Sequence, residues 1–312
     1  MGVHADIAPP ILFLGLYLAY FLVLLRLYSQ KAIQWKSRFS FLLFHVTMRV
    51  TGMSLGIAFS VLDWTGEDGG PRKNVLIAYL VFSAEGYFSL ILSAYRFLIA
   101  WQRARLGDSP LDPIPSAGLS RRERTRKHLR TPISRLTWGL ITANALLIAG
   151  SGVMASSMSA TDENDVHEKE NTGKGLRVAG TAVFLVIVQV FLVLCTRSYR
   201  QRGNRTLTLI AATWPFLTVR GVYSIISVVI PEYSYSSTKA YTASGFTSEF
   251  LVGEHVMGSC MEWLACGLLI ATHYSARNGG DELDEERGVD GRAGSADSGV
   301  ALRAPKWTAE RA

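Results

Sequence analysis

Charged residues are scarce in this sequence and unevenly distributed along it. Asp, Glu, Lys and Arg make up only 18% of the 312 residues, whereas 49% of the residues are hydrophobic. So apolar a composition over this length excludes an ordinary soluble domain. Because segments of about 20 apolar residues cross a bilayer as helices, the composition predicts an all-α, polytopic membrane protein.

Cysteine is also scarce, and motifs that hold metals or nucleotides are lacking. The three cysteines, Cys195, Cys260 and Cys266, fall in apolar segments, so no disulfide is expected between the loops. The six histidines do not combine with them at zinc-ligand spacing. No glycine-rich phosphate loop or dinucleotide-binding turn occurs. The sequence therefore predicts no cofactor and no metal, and it argues against ATP-driven transport by this chain alone.

Seven apolar segments are long enough to span a bilayer. They run over about 8–28, 39–62, 75–101, 133–158, 176–198, 207–230 and 250–274. With their connections they define a membrane domain over residues 1–276. No basic segment precedes the first of them and no cleavage pattern follows it, so we expect a retained span and not a signal peptide.

The basic residues predict the orientation of the bundle, because cytoplasmic loops collect Lys and Arg. Three stretches beside the spans, 26–38, 103–130 and 197–205, carry most of them. The connections on the other side carry only Arg72, Lys73, Lys169, Lys174 and Lys239. We therefore predict that the N-terminus lies outside the cytosol and the C-terminus inside, in the plasma membrane or an endomembrane.

The remaining composition bears on partners. Residues 277–312 are rich in Gly, Ala and charge, which predicts a disordered cytosolic tail. The net charge of +7 lies beside the spans, where topology explains it. We therefore expect membrane lipids, and a lipophilic small-molecule ligand or substrate, as partners, and no nucleic acid. The sequence makes no prediction of oligomeric state.

Charged residues inside the predicted spans are the candidate site. Arg49, Glu85, Arg220 and Glu262 each lie near the middle of a span. A charge at the bilayer centre costs at least about 2.5 to 3.5 kcal/mol, so such groups normally face the bundle interior and pair. We predict that the four form an interior charge cluster. A purely structural role, in which the pairs lock helix register, stays open beside a ligand, substrate or proton site.

Polar residues flank this predicted cluster. On the second span, His45 lies one helical turn before Arg49, and Gly52 and Gly56 continue the same face. Pro215 on the sixth span frees a backbone carbonyl and predicts a kink about one turn before Arg220. The other flanking polar residues are Asn144, Gln189, Glu254 and His255.

Three segments carry a resemblance to a known family: "MRVTGMSLGIA", "WPFLTVRGVYSIISVV" and "EFLVGEHVMGSCMEWLACGLLIATHYS". They resemble a fungal family of seven-helix membrane proteins known as the domain of unknown function DUF7702. The resemblance covers about 8–275, and the layout is similar to that of RTA-like lipid-translocating exporters. It implies that Arg49, Arg220, Tyr223 and Glu262 are family positions, whereas Glu85 departs from the family pattern. The family implies no activity.

Three functions are compatible with these patterns. Transport, export or sensing of a lipophilic small molecule is the one that the interior charges favour. A membrane-embedded enzyme of lipid or fungal secondary metabolism comes second, because no nucleophile and base occur at convincing spacing. A non-catalytic membrane organiser is the third. A rhodopsin-like receptor is disfavoured, since the third span ends without Asp-Arg-Tyr and the last lacks Asn-Pro-x-x-Tyr.

Overall fold

The computed structural model describes residues 7–35, 37–61, 70–113, 129–157, 163–235, 237–242 and 245–278. Within these ranges it contains seven helical segments long and apolar enough to cross a membrane, so the predicted seven-span bundle is confirmed at that level. The first five are single helices: α1 Ala8–Ser29, α2 Phe39–Val61, α3 Gly70–Leu106, α4 Pro132–Ser157 and α5 Glu163–Arg202.

The last two spans are composite. The sixth consists of α6 (Arg205–Ala211) and α7 (Thr213–Val229). The seventh consists of α8 (Ser248–Val252), a π-helical segment (Gly253–Cys260) and α9 (Met261–Asn278). Two 3₁₀ turns and a pair of two-residue antiparallel strands join the two spans: Pro231–Tyr233, Thr238–Ala240, β1 Tyr241–Thr242 and β2 Gly245–Phe246.

Of the predicted tail, residues 279–312 lie outside the described residues. Residues 114–128, the larger part of the basic stretch 103–130, also lie outside them. The helix that contains the predicted fifth span of 176–198 is longer than that span, because α5 has 40 residues and begins at Glu163. Ion pairs one turn apart support its polar start, with Nζ–O distances of 2.6 Å for Lys169–Asp165 and for Lys174–Glu170. At 1.5 Å per residue, α5 is about 60 Å long, about twice the thickness of a bilayer core.

The sixth span is interrupted near Pro215, although not where the sequence suggested. The break between α6 and α7 lies at Ala212, about two turns before Arg220 and not one. Proline has no N–H, so the carbonyl of Ala211, four residues earlier, has no helical donor. The interruption therefore falls where this freed carbonyl ends α6.

The exposed side of α5 shows how the bundle meets lipid. Val186 and Val193 are 62% and 64% exposed, and Val183 and Val190 lie exposed on the same face. A row of exposed apolar side chains, at spacings of three and four residues, is unfavourable in water but favourable in the hydrocarbon of a bilayer. This face of α5 is therefore suited to contact the acyl chains.

Small residues allow the helices to approach closely. A Cβ atom on Gly150 of α4 would lie 2.7 Å from the carbonyl oxygen of Gly173 on α5. Likewise, a Cβ on Gly180 of α5 would lie 2.6 Å from the carbonyl oxygen of Ala143. The α4 and α5 backbones are thus in direct contact, as is typical of membrane helices. On α2, Gly52 and Gly56 lie against α3, at the side chains of Phe82 and Tyr79.

The two ends of the bundle differ in chemistry. At the end near residue 278, here the C-terminal face, Trp101 Nε1 donates to Asn204 Oδ1 at 2.8 Å and Gln102 Nε2 donates to Ser198 Oγ at 2.9 Å. At the other end, here the N-terminal face, four aromatic residues pack together; we call them the aromatic cap: Phe59, Tyr235, Phe246 and Phe250.

Candidate functional site

Glu262 of α9 pairs with two arginines inside the bundle. Its Oε1 accepts from Arg220 Nε at 2.6 Å, and its Oε2 lies 2.5 Å from Arg49 Nε. Glu262 is 0% exposed and Arg49 is 1% exposed. Because α2, α7 and α9 each contribute one member, the carboxylate joins three spans that are far apart in sequence.

Arg49 reaches Glu262 by passing over a glycine of α3. A Cβ on Gly86 would lie 2.9 Å from Arg49 Cδ, so a larger residue would obstruct this side chain. One turn earlier on α2, His45 Nδ1 lies 2.8 Å from the carbonyl oxygen of Gly86. A carbonyl only accepts, so Nδ1 carries the proton and donates it. The α2 polar face is thus docked on the α3 backbone at Gly86.

The remaining nitrogens of Arg220 are also engaged. Nη1 donates to Ser224 Oγ at 2.6 Å and Nη2 donates to Ser83 Oγ at 3.3 Å. The guanidinium carbon lies 5.5 Å from the centre of the Tyr87 ring, within cation–π range. Each nitrogen of this guanidinium therefore has a partner. These contacts offset the desolvation cost of an arginine inside the bundle.

Tyr87 is itself fixed against α7. Its hydroxyl donates to the carbonyl oxygen of Leu217 at 2.7 Å. A Cβ on Gly221 would lie 2.6 Å from that hydroxyl oxygen, so the tyrosine fits only because residue 221 has no side chain. Gly221, which follows Arg220 in the sequence, thus leaves the space in which the Tyr87 ring of α3 packs beside the charge.

A second buried carboxylate, Glu254, lies nearer the N-terminal face. Its Oε1 accepts from the Tyr79 hydroxyl at 3.1 Å, and the Tyr235 hydroxyl in turn donates to Tyr79 Oη at 3.3 Å. Tyr235 lies outside the spans; burial, and then the charge of Glu254, raise its pKa well above the usual range. Tyr235 therefore stays a protonated donor at the end of this chain of hydroxyls.

The π-helical segment sets the relation between the two glutamates. In an ideal α-helix, residues eight apart such as Glu254 and Glu262 would point about 80° apart. A π-helix turns less per residue, because its bonds run from i to i+5. The eight-residue segment Gly253–Cys260 therefore changes the angle between the two side chains from its α-helical value. Such segments occur frequently at functional sites.

A polar cavity lies between this charge cluster and the N-terminal face, bounded by α3, α4, α5 and α7. Its volume is about 50 Å³, enough for a few water molecules or a small polar group. Three charged residues line it: Arg177, Arg220 and Glu254. Hydroxyl groups line much of the remainder, contributed by Ser83, Ser151, Thr181, Ser224 and Ser227. We call this space the outer cavity.

Arg177 of α5 differs from the other two arginines. Its Nη1 contacts the Met154 sulfur at 3.8 Å, and a thioether is a weak acceptor. Within the described part of the chain it forms no ion pair, although Glu254 and Arg220 are close enough to act on it electrostatically. The outer cavity thus contains a half-buried cation without a matching anion.

Glu85 does not lie with the other three predicted charges. Its Oε1 accepts from Asn144 Nδ2 of α4 at 2.5 Å, and it is half-buried. No ion pair joins it to Arg49 or Arg220, both of which are described. The four-member cluster predicted from depth is therefore corrected to three members, because depth does not specify the side of the helix. Glu85 points toward α4 instead.

The other predicted flanking residues are dispersed. Tyr223 is buried, with its ring 6.3 Å from that of Tyr233. His255 is buried and its ring stacks on Phe13 at 5.7 Å. Gln189 is exposed and its Oε1 accepts from Trp214 Nε1 at 3.3 Å. Of these three, none makes a hydrogen bond or ion pair with Arg49, Arg220 or Glu262 in the described part of the chain.

Sequence reasoning missed several residues of the site. Arg177 stands one residue inside a predicted span, where a basic residue ordinarily extends to the interface. The signal that could have found it is Thr181, one turn deeper on the same face, which also lines the outer cavity. Ser224, one turn after Arg220, could have been found in the same way. The aromatic partners Tyr79, Tyr87 and Tyr235 carry no such signal.

In the described portion of the chain, no group of three or more His, Cys, Asp or Glu side chains is arranged to hold a metal ion. The three cysteines are free thiols, and Cys195 and Cys266 are buried.

These features define a class: a helical membrane protein with a paired charge cluster and a polar cavity in its interior. Comparison with known families specifies it further. Residues 103–276, more than half of the chain, match the domain of unknown function DUF7702. The chain belongs to this family. The match includes Arg177, Arg220, Glu254 and Glu262, whereas Arg49 lies before it. No curated protein and no solved structure matches the chain.

Proposed function

We propose that this protein binds a lipophilic small molecule in the outer cavity and transports, exports or senses it. The observation that carries the proposal is a polar cavity with two arginines and a glutamate inside an otherwise apolar bundle. Such groups are costly in a membrane interior, and they ordinarily mark ligand or ion pathways. A cluster that served only to join helices would need no open space beside it.

The architecture around the cavity supports movement of a ligand. The outer cavity lies beside the π-helical segment, which contributes Glu254 to its lining and in which helical hydrogen bonding is irregular. Irregular backbone at membrane depth is tolerated where it lines a cavity. Discontinuous helices near a central site are also typical of transporters. The layout, which is similar to that of RTA-like lipid-translocating exporters, also favours this proposal.

We further propose that the N-terminal face lies outside the cytosol, in the plasma membrane or an endomembrane of a fungal cell. The support is that the basic stretches flank the span ends on one side of the predicted topology, whereas few basic residues lie in the connections on the other side. In this orientation the outer cavity lies in the half of the bundle that faces away from the cytosol.

Filling the cavity tests the function. Ser227 lines the outer cavity, and its hydroxyl bonds only to its own helix, at the carbonyl oxygen of Ser224. In a strain lacking this protein, Ser227→Leu should fail to restore wild-type sensitivity to a panel of lipophilic toxins, because the leucine occupies the ligand's space. Sensitivity and protein abundance in the membrane are measured together.

The matched control is Ser54→Leu. Ser54 also bonds only to its own helix, but it is exposed on α2. We expect this variant to behave as wild type for every compound. If Ser227→Leu accumulates normally and also matches wild type throughout, the cavity has no part in handling these compounds and the proposal fails.

A further inference from the structure

We infer that the ligand of the outer cavity carries an anionic group, a carboxylate or a phosphate, and that Arg177 binds it. This inference rests on the proposed function, because it names the chemistry of the molecule that the cavity takes.

The charges of the site do not balance. Glu262 is shared between Arg49 and Arg220, and Glu254 acts electrostatically on both Arg220 and Arg177, so three arginines share two carboxylates. Arg177 then adds one positive charge for which the described residues supply no carboxylate within ion-pair distance. A half-buried guanidinium without a counter-ion is costly. An anionic ligand would remove this cost.

The hydrogen-bond donors give the same answer. The three nitrogens of Arg220 are occupied by Glu262, Ser224 and Ser83. The hydroxyls of Ser151 and Thr181 donate to carbonyl oxygens of their own helices at 2.8 and 2.9 Å. Arg177, whose contact to sulfur is weak, is therefore the charged donor that remains for a ligand.

The guanidinium group defines the class of ligand. Its planar set of N–H groups matches the two oxygens of a carboxylate or the oxygens of a phosphate, which a point charge does not. The cavity volume of about 50 Å³ suits such a group rather than a whole lipid. Leu80, Ala84 and Leu147 also line the cavity and leave an apolar side for the adjoining part of the molecule.

The test uses the full-length protein, purified in an uncharged detergent, and ligands that differ only in the headgroup. Dodecanoate and dodecyl phosphate should bind, measured by calorimetry, and dodecanol should bind at least about tenfold more weakly. Arg177→Gln should remove this preference, since one charge-assisted hydrogen bond corresponds to about a tenfold change or more in affinity. Arg177→Lys should retain part of the preference, because lysine keeps the positive charge but lacks the planar set of N–H donors.

Lys174→Gln is the matched control. It removes a positive charge from the same helix less than one turn away, but Lys174 pairs with Glu170 and does not line the cavity. It should leave the preference intact, which separates a local contact from a change in net charge. Inorganic phosphate is added as a competitor: competition would identify a soluble anion as a source, and no competition would identify the amphiphile.

Two results would overturn the inference. One is equal binding of dodecanol and dodecanoate by the wild-type protein. The other is an Arg177→Gln variant that elutes as a single species and keeps the preference. In either case the effect of Ser227→Leu on toxin sensitivity would be unchanged, so the proposed function would stand without this assignment of its ligand.

Discussion

At the scale of single residues, Glu262 is the member of the charge cluster that its neighbours cannot replace. Removing either arginine leaves one guanidinium paired with one carboxylate. Removing the carboxylate leaves Arg49 and Arg220 facing each other in a buried site. Breaking a buried pair from one side is costly because it leaves an uncompensated charge. The three residues are therefore not equivalent, although all three are buried.

We predict that Glu262→Gln lowers the stability of the protein in detergent more than Arg49→Met or Arg220→Met does. The loss should be about 3–5 kcal/mol or more, the range for one stranded buried charge. Thermal unfolding, followed by intrinsic fluorescence, gives the order of the three variants.

Glu85→Gln is the control for this series, because Glu85 is a half-buried carboxylate that contacts Asn144 and no arginine. It should cost less than Glu262→Gln. The triple variant Arg49→Met, Arg220→Met, Glu262→Gln should recover stability relative to Glu262→Gln alone, since no charge is stranded in it. Additive losses in the triple variant would contradict the pairing.

At the scale of elements, the bundle depends on places where helices touch without side chains between them. The contact between α4 and α5 at Gly180 is the clearest, because the neighbouring atom is a backbone oxygen that cannot rotate away. Gly175 stands on the same helix, but a Cβ atom added there would meet nothing within 4 Å. The two glycines therefore allow a comparison within one helix.

We predict that Gly180→Ala destabilises the protein by about 1–3 kcal/mol, the cost of overpacking. Gly175→Ala should leave stability unchanged or raise it slightly, because alanine favours a helix. Unfolding temperatures of the two variants in the same detergent check this. Equal losses for both would show that helix flexibility, and not backbone contact, is the reason for glycine at 180.

Composition and tertiary packing differ in how far the sequence predicts them. Long apolar segments are read from composition alone, so all seven spans are found, although the sequence does not show that the polar start of α5 is also helical. The rotation of each helix is a tertiary property. It decides that Glu262 faces two arginines while Glu85 faces α4. The π-helical segment has no sequence signal beyond its glycines, so the angle between Glu254 and Glu262 could not be predicted.

At the scale of the whole molecule, the bundle is asymmetric between its ends. The aromatic cap and the outer cavity belong to the N-terminal face. Polar contacts such as Trp101–Asn204 and Gln102–Ser198 belong to the C-terminal face. The proposed orientation rests on a further difference between the two sides, the distribution of basic residues in the connections.

Cysteine labelling tests that orientation. In a variant without the three native cysteines, His167→Cys should react with a membrane-impermeant thiol reagent on intact cells. Both His167 and Arg200 are exposed, at opposite ends of α5. Arg200→Cys should react only after the membrane is permeabilised, because we expect it in the cytosol. Reversed labelling of the two positions would contradict the orientation, and labelling of both would contradict the spanning of α5.

The shared carboxylate also has a consequence in time. The arginine of α2 enters the membrane early in synthesis, whereas its partner on α9 belongs to the last span. At about 5–20 residues per second, the roughly two hundred residues between Arg49 and Glu262 take about ten to forty seconds to make. Throughout that interval the nascent chain contains a membrane-embedded cation whose counter-ion does not yet exist. Translocon, water or lipid headgroups must hold Arg49 until the ribosome reaches Glu262.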